Sequence, residues 1–247
     1  MDRTGPVQGG DRVDHPVLVL VHSPLVGPIT WRLVAAALER TGRPAVAPDL
    51  RAAATGPGPY HRDIADAVAR DVPEQGDLIL VGHSGAGPLL PAIAAVLPGR
   101  IRGLVYADAE LPHPGAPELD VLPREFDEQL RAMVRDGLLP PWHEWLPSGT
   151  LLEILPDPRV RAEFVAEVPR LPYAFFTEAA PDVVWAGAAA YVLMSETYRD
   201  HAETARAAGQ PVIECSGHHL AGLTAPDTVA DKLIVAADAI AIASEVP

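Results

Sequence analysis

Short apolar runs alternate with helix-length amphipathic segments over the first 108 residues of the chain. The run Val17–Val21 is apolar at every position, which is typical of a strand that is buried on both faces of a parallel sheet. This alternation predicts right-handed strand–helix–strand units and a mostly parallel, doubly wound sheet of the α/β class. The predicted strands are 17–21, 44–48, 77–81 and 101–107, and the predicted helices are 30–40, 60–71 and 85–97.

The alternation stops between residues 111 and 185. This stretch holds 12 of the 27 prolines, all four Phe and three of the four Trp, with helical segments at 125–135 and 158–167 and no strand. Alternation resumes with strands at 189–194 and 211–215 and helices at 198–208 and 226–243. The sequence therefore predicts one core domain, residues 1–110 and 186–247, that carries a helical cap of residues 111–185 (the insertion).

Charge and composition exclude several classes of function. The 19 basic and 33 acidic side chains give a formal charge of −14. A protein that binds nucleic acid or an anionic membrane surface needs clustered Lys and Arg side chains. The single cysteine, Cys215, cannot form an internal disulfide, and the polar segment Met1–Pro16 has no apolar signal region. These features predict a cytoplasmic protein with neither a nucleic-acid nor a membrane partner.

A candidate nucleophile follows the third predicted strand, in the sequence Gly82-His83-Ser84-Gly85-Ala86-Gly87. Where a strand turns abruptly into a helix, the corner residue is strained, and the residues two places to either side must be small. Gly82 and Ala86 meet that requirement, so Ser84 is predicted at the carboxyl edge of the sheet, where ligands bind in open α/β folds.

This corner and the order of the elements resemble the α/β-hydrolase superfamily over residues 17–108 and 189–243, with Ala86 in place of the usual last glycine. The resemblance implies an α/β-hydrolase fold, a helical cap after the strand that follows the nucleophile helix, and Ser84 as the nucleophile. The spacing from His22 to Trp31 is similar to that of the plant esterase and hydroxynitrile lyase group. No phosphate- or dinucleotide-binding glycine motif is present, so no cofactor is predicted.

A serine hydroxyl needs a histidine to accept its proton. The resemblance implies a histidine in the loop before the terminal helix, and that loop contains His218 and His219. The spacing to Pro226 favours His219, whereas the position after a glycine favours His218 as the alternative base. A metal pair is disfavoured, because adjacent histidines point in different directions and no carboxylate motif surrounds them.

The third member of a triad would be a carboxylate that orients the histidine. Relatives usually carry it after the penultimate strand, but Tyr198 stands at that spacing here. Some members of the superfamily use a carboxylate after the strand that follows the nucleophile helix, and this position holds Asp108. Asp108 is therefore the predicted acid, with Glu196 and Asp200 as further candidates.

The oxyanion donors are unusual. The resemblance implies a backbone N–H two residues after His22, but that residue is Pro24, which has no N–H. The remaining candidates are the N–H of Gly85 and the hydroxyl of Ser23.

Together these residues predict a serine-dependent hydrolase of an ester, thioester or lactone. The departure at Pro24 keeps open a lyase, isomerase or cyclase that uses Ser84 and His219 for acid–base chemistry, and a binding protein with a decayed site is a third hypothesis. The predicted partner is a small apolar or aromatic molecule, because aromatic side chains are concentrated in the insertion. The pocket candidates are Trp142, Trp145 and Phe176, with Phe175 and Trp185 beside them.

Overall fold

The computed structural model describes residues 15–245, so most of the Met1–Pro16 segment lies outside the described residues. Six parallel strands form one sheet in the order β2-β1-β3-β4-β5-β6. β2 is added on one side of β1, and the later strands are added on the other side. This order is that of a doubly wound α/β sheet, as the hydrophobic pattern predicts. The strands are β1 (Val17–Val21), β2 (Ala45–Val46), β3 (Leu78–Ser84), β4 (Ile101–Ala109), β5 (Ala189–Leu193) and β6 (Val212–Glu214).

Among the six strands only β1 has the predicted bounds, and β2 and β3 are two of those that differ. β2 has only two residues, because it is an edge strand flanked by Pro44 and Pro48, which cannot donate to a sheet ladder. β3 extends three residues further than predicted and ends at Ser84, and all seven of its residues are buried. The predicted nucleophile is therefore itself the last residue of the strand.

Helices cover both faces of the sheet. α1 and α12 pack on one face through side chains such as Leu38 and Leu233, and α3, α4 and α10 pack on the other through side chains such as Ile64 and Ile93. Their bounds are α1 (Ile29–Arg40), α2 (Arg51–Ala54), α3 (Tyr60–Asp71), α4 (Leu90–Ala95), α5 (Glu118–Val121), α6 (Arg124–Met133), α7 (Thr150–Ile154), α8 (Pro158–Glu167), α9 (Ala174–Thr177), α10 (Arg199–Ala207), α11 (Ala221–Thr224) and α12 (Pro226–Glu245).

The helix after the nucleophile begins later than predicted. A 3₁₀ turn occupies Gly87–Leu89, and the α-helix α4 starts only at Leu90. Pro88 and Pro91 explain the difference, because a proline fits only in the first turn of a helix, where no backbone hydrogen bond is lost.

The insertion, residues 111–185, is fully described and contains α5 to α9 with isolated bridges but no regular strand. Part of it packs on the core through an apolar cluster that contains Phe164 of α8 together with Val26, Ile29 and Leu223. Two of its carboxylates also accept hydrogen bonds from core helix N-termini. Glu167 accepts from the N–H of Ile29 at 2.8 Å, and Glu178 accepts from the N–H groups of Tyr60 and His61 at 2.7 and 2.8 Å.

Within residues 15–245, no helix combines the length and the apolar character that crossing a bilayer would require.

Candidate active site

The predicted nucleophile Ser84 has a strained backbone. Its φ is +57°, in the left-handed region that non-glycine residues rarely adopt and that costs about 1 kcal/mol or more. The small neighbours allow this corner: a Cβ on Gly82 would lie 3.0 Å from the side chain of Leu90, and a Cβ on Gly87 would lie 2.0 Å from the carbonyl oxygen of Glu110. The sequence thus holds a serine at the carboxyl edge of the sheet in a fixed, costly geometry.

Asp108 and His219 lie side by side. Asp108 is the penultimate residue of β4, has a φ of +47° and is fully buried. The Nδ1–H of His219 donates to Oδ2 of Asp108 at 2.8 Å. Because the carboxylate can only accept, Nδ1 carries the proton and Nε2 is left as the free, basic nitrogen of the ring.

Three further hydrogen bonds hold the Asp108 carboxylate. The N–H groups of Met194 and Ser195 donate to Oδ1 at 2.9 and 2.8 Å, and the Ser195 hydroxyl donates to Oδ2 at 2.6 Å. Burial alone would raise the pKa of Asp108, but the hydrogen bonds from His219 and Ser195 outweigh burial and lower it. The group therefore stays ionised beside the imidazole.

The two candidate histidines have different surroundings. His218 turns to its own loop, where its Nδ1 accepts from the N–H of Leu220 at 3.2 Å and its Nε2 pairs with the Thr224 hydroxyl at 2.9 Å. Burial, followed by the neighbouring His219, lowers the pKa of His218. The alternative acid Glu196 is exposed and pairs with Arg199. Of the two histidines, His219 is the one that bonds to Asp108 and that shares a cavity wall with Ser84.

Tyr198 makes a contact in the site that the sequence did not predict. Its hydroxyl lies 3.1 Å from Oγ of Ser84, and its ring stacks on the ring of His219 with centroids 4.9 Å apart and an interplanar angle of 10°. Burial raises the pKa of Tyr198, so the phenol stays protonated. Among the described residues, Tyr198 is the hydrogen-bond partner of the Ser84 hydroxyl. The available signal was that Tyr198 occupies the spacing of the usual acid.

His83 covers another side of the His219 ring. The two ring centroids are 4.4 Å apart, and the Nε2–H of His83 donates to the carbonyl oxygen of His219 at 2.8 Å. Burial, followed by the charge of His219, lowers the pKa of His83 to about 3. His83 is therefore neutral and places no second positive charge beside the imidazole.

The oxyanion candidates lie close together. The Ser23 hydroxyl accepts from the N–H of Leu25 at 3.3 Å, which leaves its own O–H free to donate, and a Cβ on Gly85 would lie 3.4 Å from Oγ of Ser23. His22 fixes this loop by donating from Nδ1 to the carbonyl of Ser23 at 2.8 Å and accepting at Nε2 from the N–H of Leu50 at 3.0 Å. Pro24 lines the same wall without an N–H.

A cavity of about 400 Å³ connects these groups. It has the size and apolar character of a small-molecule site. Trp142, Trp145 and Phe176 line it as predicted, with Phe175, Phe126 and Leu122, whereas Trp185 is not among its lining residues and donates from its ring N–H to Ala188. The polar part of the wall includes Ser23, Ser84, Tyr198, His219, Glu110 and Glu118.

Among residues 15–245, no group of three or more His, Cys, Asp or Glu side chains has the geometry of a metal site. The chemistry that the wall can perform with its own side chains is proton transfer and nucleophilic attack, through Ser84, His219 and Tyr198.

Comparison with known proteins finds relatives that are named as hydrolases and esterases. The chain is 35% identical over 118 residues to a pyrethroid hydrolase of Sphingobium wenxiniae, covering 44% of this chain and 41% of the relative. It is 31% identical over 128 residues to a carbendazim hydrolyzing esterase of a Nocardioides species, covering 48% and 52%. The chain thus spans about half the length of the curated relatives that it matches.

A solved extracellular α/β-hydrolase from a Paenibacillus species superimposes with a TM-score of 0.70 at 20% identity, covering 90% of this chain and 98% of that one. At this identity the likeness shows the fold. The family model described as the alpha/beta hydrolase family matches residues 18–232, which include every strand of the sheet but the first residue of β1. A match over this much of the chain establishes that it belongs to the α/β-hydrolase family.

Proposed function

We propose that the protein is a serine-dependent hydrolase of an ester, thioester or lactone of a small apolar molecule. The observation that carries the proposal is the hydrogen bond from His219 to the buried Asp108, with His219 in the same cavity wall as a serine in a strained strand-end conformation. The relatives named as hydrolases and esterases support the reaction class. The insertion acts as a cap, because its aromatic side chains line the cavity above Ser84.

The proposed steps use these side chains as follows. The Ser84 hydroxyl turns from Tyr198 to Nε2 of His219, loses its proton to that nitrogen and attacks the acyl carbon. Asp108 stabilises the resulting imidazolium. The carbon–oxygen bond to the leaving group then breaks, and the proton on Nε2 passes to the departing alkoxide. Water, activated by the same nitrogen, cleaves the acyl-serine ester and restores Ser84.

The oxyanion of the tetrahedral intermediate would be held by the N–H of Gly85 and the hydroxyl of Ser23. A side-chain hydroxyl is less rigid than a backbone N–H, and one well-placed donor is worth about 10²–10³ in rate. A modest turnover rate is expected where Pro24 has removed one backbone donor.

The buried, free Cys215 is consistent with a reducing, cytoplasmic location.

The decisive experiment is hydrolysis of short-chain p-nitrophenyl esters by the wild-type protein and by Ser84→Ala. Loss of at least about 10³-fold in kcat is expected, since the nucleophile is gone. A fluorophosphonate should label wild-type protein at Ser84, as judged by peptide mass spectrometry. Equal turnover by the two proteins would overturn the proposal.

A second candidate is a lyase, isomerase or cyclase in which Ser84 and His219 move protons without forming an acyl-enzyme. Two observations favour it: Pro24 offers no N–H, and the Ser84 hydroxyl bonds to Tyr198. Rapid quenching with a slowly hydrolysed ester separates the two candidates. A mass increase of one acyl group on Ser84 supports the hydrolase, whereas labelling by a fluorophosphonate without any acyl intermediate supports the second candidate.

A further inference from the structure

Two glutamates outside the proposed triad form part of the cavity wall. Glu110 directly follows β4, and its N–H donates to the carbonyl oxygen of Ser84 at 3.3 Å, so its backbone lies beside the nucleophile. Glu118 is the first residue of α5 in the insertion. Both side chains line the same cavity as Ser84 and His219. The proposed reaction uses neither of them.

Glu118 has a cationic partner. Nε2 of His113 lies 3.1 Å from Oε2 of Glu118, and Nδ1 of His113 lies 3.0 Å from the carbonyl oxygen of Ala116. A carbonyl and an ionised carboxylate both only accept, so both nitrogens of His113 must carry protons. The hydrogen bond that His113 donates to Glu118 accordingly raises the pKa of His113. Glu118 and His113 thus form an ion pair at the edge of the cavity.

Glu110 has no such partner. Its Oε2 is buried, and no N–H or O–H group of the described residues reaches it. Burial, followed by the charge and the hydrogen bond of Glu118, raises the pKa of Glu110 well above its usual range. A protonated Glu110 can donate to the carboxylate of Glu118. The carboxyl lone pairs that remain can only accept hydrogen bonds.

The rest of the wall makes this acceptor character selective. None of the described residues that line the cavity is Lys, Arg, Asn or Gln, and the surroundings are largely apolar. A buried acceptor in an apolar cavity discriminates strongly, because leaving it without a donor costs more than an ordinary hydrogen bond gains.

We propose that Glu110, supported by Glu118, is the acceptor of a subsite that binds a hydrogen-bond-donating group, a hydroxyl or a protonated amine, on the acyl part of the substrate. This inference rests on the proposed function, since it names the substrate class of the same site. Esters that carry a carboxylate at the carbon that reaches Glu110 are disfavoured, because their oxygens meet the lone pairs of the subsite without a proton between them. A protonated amine would favour the ionised form of Glu110, whose proton is released to solvent as the ammonium binds, and would pair with the carboxylate, whereas a hydroxyl would use the neutral form.

The test uses ethyl esters of straight-chain acids that carry a hydroxyl, an ammonium or a methyl group of similar size, moved stepwise along the chain. The readout is the ratio of kcat/KM between the donor ester and the methyl ester at the same carbon. At the carbon that reaches Glu110, the wild-type ratio should be at least about tenfold for one or both donors. No preference at any carbon, or a preference for a carboxylate in place of the methyl group, would overturn the subsite.

Two variants distinguish the donors. Glu110→Leu removes the acceptor, so every donor ratio should fall to about one. Glu110→Gln mimics the neutral acid, because its amide N–H can still donate to Glu118 and its oxygen can still accept a hydrogen bond. It should keep a hydroxyl preference and lose an ammonium preference. Glu125→Gln makes the same substitution at an exposed residue of α6 outside the cavity wall; it is the matched control and should keep the wild-type ratios. Ratios that survive Glu110→Leu would contradict the proposal.

Binding to Ser84→Ala separates this inference from the proposed reaction. Calorimetry with the same esters gives dissociation constants without turnover, and the donor preference should appear there at similar size. If the wild-type protein hydrolyses no ester but Ser84→Ala shows the preference, the reaction is wrong and the subsite stands. If turnover occurs and neither assay shows a preference, the subsite is wrong and the reaction stands. Thermal melting of each variant shows whether a lost ratio reflects unfolding.

Discussion

Asp108 combines complete burial with four accepted hydrogen bonds, one from His219 and three from the segment that follows β5. A buried carboxylate is stable only when its lone pairs are satisfied in this way. The segment that carries the acid in many relatives therefore still takes part in the site, since it supplies donors to a carboxylate that comes from β4.

Replacing Asp108 by Asn should leave the left-handed backbone intact, because Asn tolerates a positive φ. The amide no longer fixes the proton on Nδ1 of His219 or stabilises the imidazolium, so kcat for an ester should fall by about 10³–10⁴-fold. Asp200→Asn removes the same charge from an exposed acid of α10 and should change kcat by less than about twofold. A larger loss for Asp200→Asn than for Asp108→Asn would assign the acid to Asp200.

Glu110 should also leave a signature in stability. Its pKa is raised on folding, so the folded state binds its proton more tightly than the unfolded state. Its contribution is fully present below the unfolded-state pKa of about 4.5 and is lost as the pH rises through the folded-state pKa. Within that window, the free energy of unfolding of the wild type should fall relative to Glu110→Gln by about 1.4 kcal/mol per pH unit. Urea unfolding at a series of pH values measures the difference, and parallel curves for the two proteins would contradict the shift.

At the level of the elements, the insertion and the core helices depend on each other. Glu167 and Glu178 each place a carboxylate at the N-terminus of a core helix, where free N–H groups and the helix dipole favour negative charge. Neither α1 nor α3 has a side-chain cap of its own, since prolines precede both helices. The caps come instead from residues more than 100 positions away in the chain.

Removing the Glu178 carboxylate should therefore destabilise the core. In Glu178→Ala, the N–H groups of Tyr60 and His61 lose their acceptor, and the free energy of unfolding should fall by about 1–2 kcal/mol. Glu153→Ala in α7 removes an exposed carboxylate and should cost less than about 0.5 kcal/mol. Urea denaturation measures both variants, and equal losses would show that Glu178 does not act as a cap.

The net charge of −14 affects the whole molecule by repelling anions over distances set by the salt concentration. For an ester with a carboxylate, kcat/KM should rise about two- to tenfold between low salt and about 0.3 M, as screening weakens the repulsion. A neutral ester of the same length should change by less than about twofold. A stopped assay across a salt series tests this prediction, and a decrease for the anionic ester would contradict it.

The sequence predicted the features that depend on local pattern and known spacing. The apolar run Val17–Val21 gave β1, and the small residues around Ser84 gave the strained corner, because both signals lie within a few residues. Pro88 and Pro91 could also have predicted the late start of α4, because a proline fits only in the first turn of a helix. The contacts of Tyr198 with Ser84 and of Glu110 with Glu118 were not predictable, since they depend on how the insertion and the loop after β5 fold over the sheet.

The attachment of the insertion at α1 and α3 has a consequence for how a substrate enters. A hinge rotation of the whole insertion would break the bonds of Glu167 and Glu178 together and expose the apolar cluster around Phe164. Substrate exchange should therefore proceed by small movements of side chains and short helices around the cavity mouth. A covalent crosslink between α8 and α1 would then leave the rate of product release unchanged.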